Sequence, residues 1–159
     1  MIWVGINDCS YLRSPSEQLR SLFQSIDQLY DAGARNFIFL SVPPFERSPW
    51  GNHSCPPVEA NSAGVIREPE RLHEYVADWN FNLPQVVDHW KRKHRDVRTA
   101  AYDTTYVFAE ALDDPTRHGF RNATEVCGDG GCIWNDDLHP SFALHRLLAA
   151  RLASWLDRL

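Results

Sequence analysis

Three side chains near the two ends of this sequence are of the types that acyl-transfer chemistry uses. Asn7 closely follows the apolar opening run Met1-Ile2-Trp3-Val4-Gly5. Asp136 and His139 lie in Trp134-Asn135-Asp136-Asp137-Leu138-His139-Pro140. Three apart in a turn stiffened by Pro140, the Asp136 carboxylate can accept the imidazole Nδ1–H. That fixes the tautomer and leaves Nε2 as a base. Asn7 offers an amide donor for a developing oxyanion, worth roughly 3–4 kcal/mol in comparable sites. An Asp–His pair and an amide donor are acyl-transfer equipment without a nucleophile. Ser10, Ser41 and Ser141 are the nearby hydroxyls, and their positions suit a turn residue, a strand residue and a first helical turn.

Plainer readings stand beside these. Asn7-Asp8 also suits an ordinary turn after a strand. Asp137 could hold the imidazole instead of Asp136, although the spacing favours Asp136. Asp136-Asp137 could cap the last helix. A metal cluster of Asp136, Asp137 and His139 would lack a second histidine at ligand spacing. The histidines at 53, 73, 89, 94, 118 and 145 read as surface residues.

The elements between the two segments must bring them together. Met1 to Gly5 reads as a short buried strand. Ser14-Pro15-Ser16-Glu17 reads as a helix start: Ser14 the N-cap, Pro15 the first helical residue, Glu17 closing a capping box. Leu19, Leu22, Phe23, Ile26 and Leu29 form one helical stripe, and Gly33 stops it. Phe37-Ile38-Phe39-Leu40 is apolar throughout, as in a parallel strand covered on both faces, and Pro43-Pro44 ends it. Residues 44 to 66 read as a long loop in which Trp50 could be a sugar platform or plain packing. Helix follows from about Pro69 to His94, with Pro84 kinking or restarting it and Asn82 a candidate cap. Val97 to Tyr102 is a third strand and Thr104 to Leu112 a helix. Asp113 to Ile133 is irregular. The last helix runs from Pro140 to about Asp157, its apolar set Phe142, Leu144, Leu147, Leu148, Leu152, Trp155 and Leu156.

Alternating strands and helices predict an α/β domain with a parallel sheet and right-handed crossovers. In such sheets the loops leaving strand C-termini gather on one edge, where ligands bind. Three strands are few, and the opening one would be an uncovered apolar edge. An incomplete N-terminus is therefore expected.

The length of 159 residues fits one domain. A net charge of −5 argues against a duplex nucleic-acid partner. No apolar run is long enough to span a membrane. Cys127 and Cys132 bracket Gly128-Asp129-Gly130-Gly131 and could close a small loop worth roughly 2 kcal/mol. Four cysteines allow three pairings, and Cys9–Cys55 would remain by elimination. Asn52-His53-Ser54 and Asn122-Ala123-Thr124 are glycosylation sequons. Sequons and paired cysteines favour a secreted protein, yet no signal peptide opens the chain. Oligomeric state is left open.

Gly5-Ile6-Asn7-Asp8 resembles the G-x-N-D block of the SGNH (GDSL) hydrolases. Asp136-Asp137-Leu138-His139 resembles their D-x-x-H block ahead of a terminal helix. The stretch from Asp31-Ala32-Gly33 to Pro43-Pro44 resembles the family's helix–strand unit. Asp113-Asp114-Pro115 to Gly119-Phe120, leading into cysteines and the D-x-x-H-P turn, is similar to the secreted acetylesterases of carbohydrate esterase family sixteen. The resemblance covers essentially the whole chain and implies a three-layer α/β/α, flavodoxin-like fold. It also implies that residues 1–159 are the C-terminal portion of a single hydrolase domain. The implied activity is hydrolysis of acetyl esters on carbohydrate or of other small-molecule esters, with no metal or organic cofactor. By resemblance Asn7 is the oxyanion donor, His139 the general base and Asp136 its orienting partner. Gly5 and Trp134, in the same two blocks, are candidate substrate contacts. The family's Gly-Asp-Ser block and the glycine of its second block map to nothing here, so the chain alone is expected to be nearly inactive. A non-catalytic or carbohydrate-binding relative is the alternative.

Overall fold

The apolar run at 37–40 forms a strand. β1 spans Asn36–Leu40 and pairs in parallel with β2, Arg98–Tyr102, from Asn36 opposite Arg98 to Leu40 opposite Tyr102. The structure, a computed structural model, describes residues 1–10, 13–52 and 69–159. Ahead of β1 come α1, Ile6–Ser10, and α2, Pro15–Asp31. Between the strands run a 3-10 turn at Phe45–Arg47, α3 at Pro49–Asn52 and α4 at Pro69–Lys93. After β2 follow α5, Thr105–Asp113, a 3-10 turn at Thr116–His118 and α6, Phe142–Leu156.

Helices cover both faces of the sheet. Phe37 and Phe39, two apart and so on one face, join Leu19, Phe23 and Ile26 of α2 and Trp79, Leu83 and Trp90 of α4 in one core. Residues opposite in register share a face, so Leu40 and Tyr102 lie together on the other. Tyr102 packs there against a second core of Val107, Phe108, Leu144 and Leu148, with Ile133 and Trp134 from the loop before α6. This is the parallel α/β sheet that the alternating elements predict, with helices on both faces as the family resemblance implies.

Several local expectations are corrected. The opening run makes one parallel bridge, Ile2 to Phe39, rather than a full strand. Ile2 donates to the Ile38 carbonyl at 2.7 Å and accepts from Leu40 at 2.9 Å. Gly5 then takes φ +116° and the chain enters α1, so the extended stretch has no room to lengthen. Ser14 does stand at the N-cap of α2, but its Oγ pairs with Ser16 Oγ at 3.0 Å, and the capping box with Glu17 does not form. Gly33, at φ +103°, follows the end of α2, where Ala34 N–H reaches back to the Leu29 carbonyl at 2.9 Å.

α3 and a 3-10 turn occupy 45–52, which the sequence suggested was loop; the rest of that stretch, 53–68, lies outside the described residues. α4 runs without a break through Pro84. Pro84 removes the helical donor of the Asn80 carbonyl; in the turn before it Asn82 Nδ2 donates to Asp78 O at 2.7 Å and Gln85 Nε2 to Phe81 O at 2.9 Å. The helix is continuous there, so Asn82 does not restart it. α6 begins one residue after Ser141, whose Oγ accepts the Leu144 N–H at 3.4 Å as an N-cap. Phe142 falls off the buried stripe and is 75% exposed. Cys127 and Cys132 form a disulfide. Among the described residues Cys9 is a free thiol buried in the α2–α4 core; the Cys9–Cys55 pairing that elimination suggested falls on Cys55, which lies outside the described residues.

Candidate active site

The loop before α6 folds on itself. Ser141 N–H donates to the Ile133 carbonyl at 2.7 Å and Asn135 N–H to the His139 carbonyl at 2.8 Å. Trp134 bridges to Pro140 on one side and Val126 on the other. Inside this turn the Asp136 carboxylate is fully employed. Its Oδ1 accepts the backbone N–H of Leu138 at 3.0 Å and of His139 at 2.7 Å. The His139 Nδ1 lies 2.9 Å from Oδ1 and 3.0 Å from Oδ2. A carboxylate can only accept, so Nδ1 carries the proton and Nε2 is left with its lone pair. Partial burial pushes the Asp136 carboxyl up. The two backbone N–H groups and the imidazole outweigh it and hold the group below the usual carboxylate range. Asp137 does not hold the imidazole; its carbonyl accepts Trp50 N–H at 2.8 Å, tying the turn to α3.

The two chain ends meet. Trp3, Val4 and Ile6 line one cleft of about 150 Å³ with Pro43, His139, Pro140 and His145. The cleft lies at the sheet edge where the Ile2 segment and β1 run out, as parallel α/β sheets favour. Trp3 is anchored by its Nε1, which donates to the Ser41 carbonyl at 2.9 Å. Pro43 is held by its neighbour Val42, whose N–H and C=O both pair with the Asn80 amide at 2.8 Å. His139 and Asp136 keep 62% and 50% of their side-chain surface open to solvent.

Asn7 is exposed in the first turn of α1, one residue past the lining residue Ile6 and not itself in the wall. The two candidate substrate contacts stand elsewhere. Gly5 is buried, and a Cβ there would sit 2.7 Å from the Trp79 ring and from Val42 Cγ2. Its role is close packing that sets the path of Val4 and Ile6. Trp134 is 0% exposed, beside Phe108 in the core, with Nε1 donating to the Ala123 carbonyl at 2.8 Å. It anchors the turn from beneath and cannot reach a ligand. Trp50 is half-buried against Phe45, which is packing.

Ser41 and Ser141 are both occupied structurally. The Ser41 hydroxyl donates to Asp103 Oδ1 at 3.0 Å and accepts from Thr104 N–H at 2.8 Å, while Ser141 caps α6. Trp3 and His145 line the cleft, and the residue-type reading missed them. The one signal for His145 was its place four residues after the helix cap, on the same helix start that follows His139. Asn52 is exposed with its Nδ2 donating to Arg47 O at 3.0 Å. Asn122 is half-buried with its amide on Glu125 Oε2 at 2.9 Å.

A parallel α/β sheet with an Asp–His pair in the turn before its last helix, facing a cleft at the strand exits, matches a known family across nearly the whole chain. The GDSL-like lipase/acylhydrolase model covers residues 1–152, and the chain belongs to that family. An acetylesterase of Thermothelomyces thermophilus is 33% identical over 160 residues, covering 96% of this chain and 50% of its own length. A GDSL esterase/lipase of Arabidopsis thaliana is 26% identical over 157 residues, covering 84% and 42%. A thermolabile hemolysin of Vibrio parahaemolyticus is 25% identical over 173 residues, covering 93% and 38%. The chain thus spans half or less of the length of these relatives. Among the described residues no helix is long and apolar enough to cross a membrane.

Proposed function

We propose that this chain carries the His–Asp half of an ester-hydrolase site, within the later portion of a single hydrolase domain. The observation that supports the reading best is the Asp136–His139 pair, locked at 2.9 and 3.0 Å, on a cleft shared with the opening segment. In this reading a serine attacks the ester carbonyl and His139 Nε2 takes its proton. Asp136 orients the ring and stabilises the imidazolium. The Asn7 amide, with backbone N–H groups, binds the oxyanion. His139 then returns the proton to the leaving alcohol, and water releases the acyl group by the same steps. The 159 residues contain no Gly-Asp-Ser triplet, and in this reading the serine is taken to come from outside them.

Acetyl esters on carbohydrate are the substrate class proposed. The acetylesterase relative and the small cleft walled by Trp3, Val4, Ile6, Pro43 and Pro140, which suits a short acyl group, support it. The Cys127–Cys132 disulfide supports an extracellular setting, where Asn52 and Asn122 would be glycosylation acceptors. The absent triplet and the two occupied serines favour a second reading for the chain alone, a non-catalytic ester- or sugar-binding relative.

Two measurements test the proposal. Nitrogen NMR of His139 should show the Nδ1-protonated tautomer, lost in Asp136→Asn; an Nε2-protonated ring would overturn the assigned base. With 4-nitrophenyl acetate the chain alone should stay at background. In a longer protein joining these residues to a Gly-Asp-Ser segment, His139→Ala should lower kcat on the order of a millionfold. Turnover by the chain alone that His139→Ala abolishes would overturn the account of the nucleophile.

A further inference from the structure

The cleft holds a second imidazole that the proposed reaction does not use. His145 lies in the first turns of α6, and its Nδ1 is 3.0 Å from the Ser141 carbonyl oxygen. A carbonyl cannot donate, so the neutral ring carries its proton on Nδ1 and presents Nε2 as an acceptor. The ring is steadied on another side by Trp3, edge to face at 5.8 Å and 72°. Trp3 is in turn fixed to the Ser41 carbonyl. His145 is thus a side chain whose tautomer and orientation are both set, in the wall of a cleft otherwise lined by Trp3, Val4, Ile6, two prolines and His139. In an apolar site the few polar groups are what fix ligand orientation.

We infer that His145 is a specificity-determining residue: its Nε2 accepts a hydrogen bond from a hydroxyl on the alcohol half of the ester, so the cleft favours esters of polyhydroxy alcohols over esters of simple ones. The inference rests on the ester-hydrolase reading above. There the apolar wall takes the acyl group and His139 serves the ester oxygen. The remaining acceptor, His145, meets what else the alcohol carries. A hydroxyl placed against it replaces its bond to water with one to Nε2. An alcohol without that hydroxyl leaves Nε2 short of a partner when it excludes water.

Binding to the chain itself tests this, since no turnover is needed. Histidine-selective NMR titrations with methyl 2-O-acetyl-β-xylopyranoside and with cyclohexyl acetate give both affinities and the shift of His145 Nε2. The xyloside should bind about three- to tenfold tighter, the range one neutral hydrogen bond provides, and should move the His145 Nε2 signal. His145→Phe keeps the ring edge against Trp3 and removes the acceptor. It should bring the xyloside down toward the affinity of cyclohexyl acetate, weakening the xyloside several-fold more than the latter. If both esters bind and His145→Phe leaves their ratio unaltered, or weakens both alike, the role of His145 is overturned while the ester site stands. If neither ester perturbs His139 or His145, the ester-site reading falls and takes this inference with it.

Discussion

The two halves of the cleft are built by different means. The half that carries Asp136 and His139 is nearly self-sufficient. Within residues 133–141 every partner of the Asp136 carboxylate is local, and the turn is closed by its own backbone bonds, a buried Trp134 and the neighbouring disulfide. The half that carries Trp3, Val4 and Ile6 makes a single bridge to the sheet. Besides that bridge and the bond from Trp3 Nε1 to the Ser41 carbonyl, it leans on one turn of α4: Trp79 presses on Gly5, and the next residue, Asn80, holds Val42 beside Pro43. A base assembled by short-range bonds keeps its geometry through small shifts in the core. A cleft wall hung on a distant helix does not.

The contrast can be broken most forcefully from below. Trp134→Ala removes the floor of the turn and should cost about 3–5 kcal/mol by urea unfolding. Gly5→Ala attacks the other half. The new Cβ meets a rigid indole at 2.7 Å and the backbone sits at φ +116°, so a loss of about 2–4 kcal/mol is expected. The two should differ in kind. Gly5→Ala should shift the NMR signals of Trp3 and Ile6 and spare the His139 tautomer, whereas Trp134→Ala should disturb the tautomer itself. Equal disturbance of both halves by Gly5→Ala would mean that they are not separately built. The Cys127→Ser/Cys132→Ser chain is the intermediate case. Releasing so short a loop should lower stability by about 2 kcal/mol, with the imidazole still held by Asp136.

What could be read in the sequence follows the same division. Asp136 and His139 were legible because their contact is local: three residues and a proline favoured Asp136 over Asp137, and the bonds to Nδ1 decide for it. The covered strand Phe37–Leu40 and the stripe of α2 were legible because periodicity records burial directly. Trp134 and Gly5 were misread because their motif position says that they stand near chemistry, not whether they face it. Only the contacts with Phe108 and Trp79, far away in the chain, turn them inward. Trp3 and His145 were passed over for the converse reason. One reads as strand and the other as surface helix until the fold sets them on one wall. Pro84 misled because its missing N–H removes one helical bond, while Trp79, Leu83, Val87 and Trp90 bury α4 in one core on both sides of it.

The smallest effect gives the sharpest test of how locally the base is built, because it isolates one carboxyl. The Asp136 group titrates below its ordinary value in the fold, despite the opposing effect of burial. Its bonds therefore contribute stability that is complete above the unfolded value of about 4 and is lost as pH falls through the lower folded one. Asp96 and Asp129 are depressed in the same direction, by bonds to Tyr30 and Arg35 and by bonds to Gly131 and Arg121, so the chain's overall loss of stability in acid is shared among them. Subtracting Asp136→Asn removes that common background. The Asn Oδ1 can still accept the Leu138 and His139 backbone N–H groups, which keeps the turn, so the margin measures the charge together with its bond to the His139 ring. Urea unfolding of the two chains should show the parent more stable by a small, level margin near pH 5, and that margin should close as pH falls below the ordinary carboxylate value of about 4. A margin that stayed level through this range would mean that the turn does not favour the ionised carboxyl, and that the order in the base half comes from the buried Trp134 beneath it.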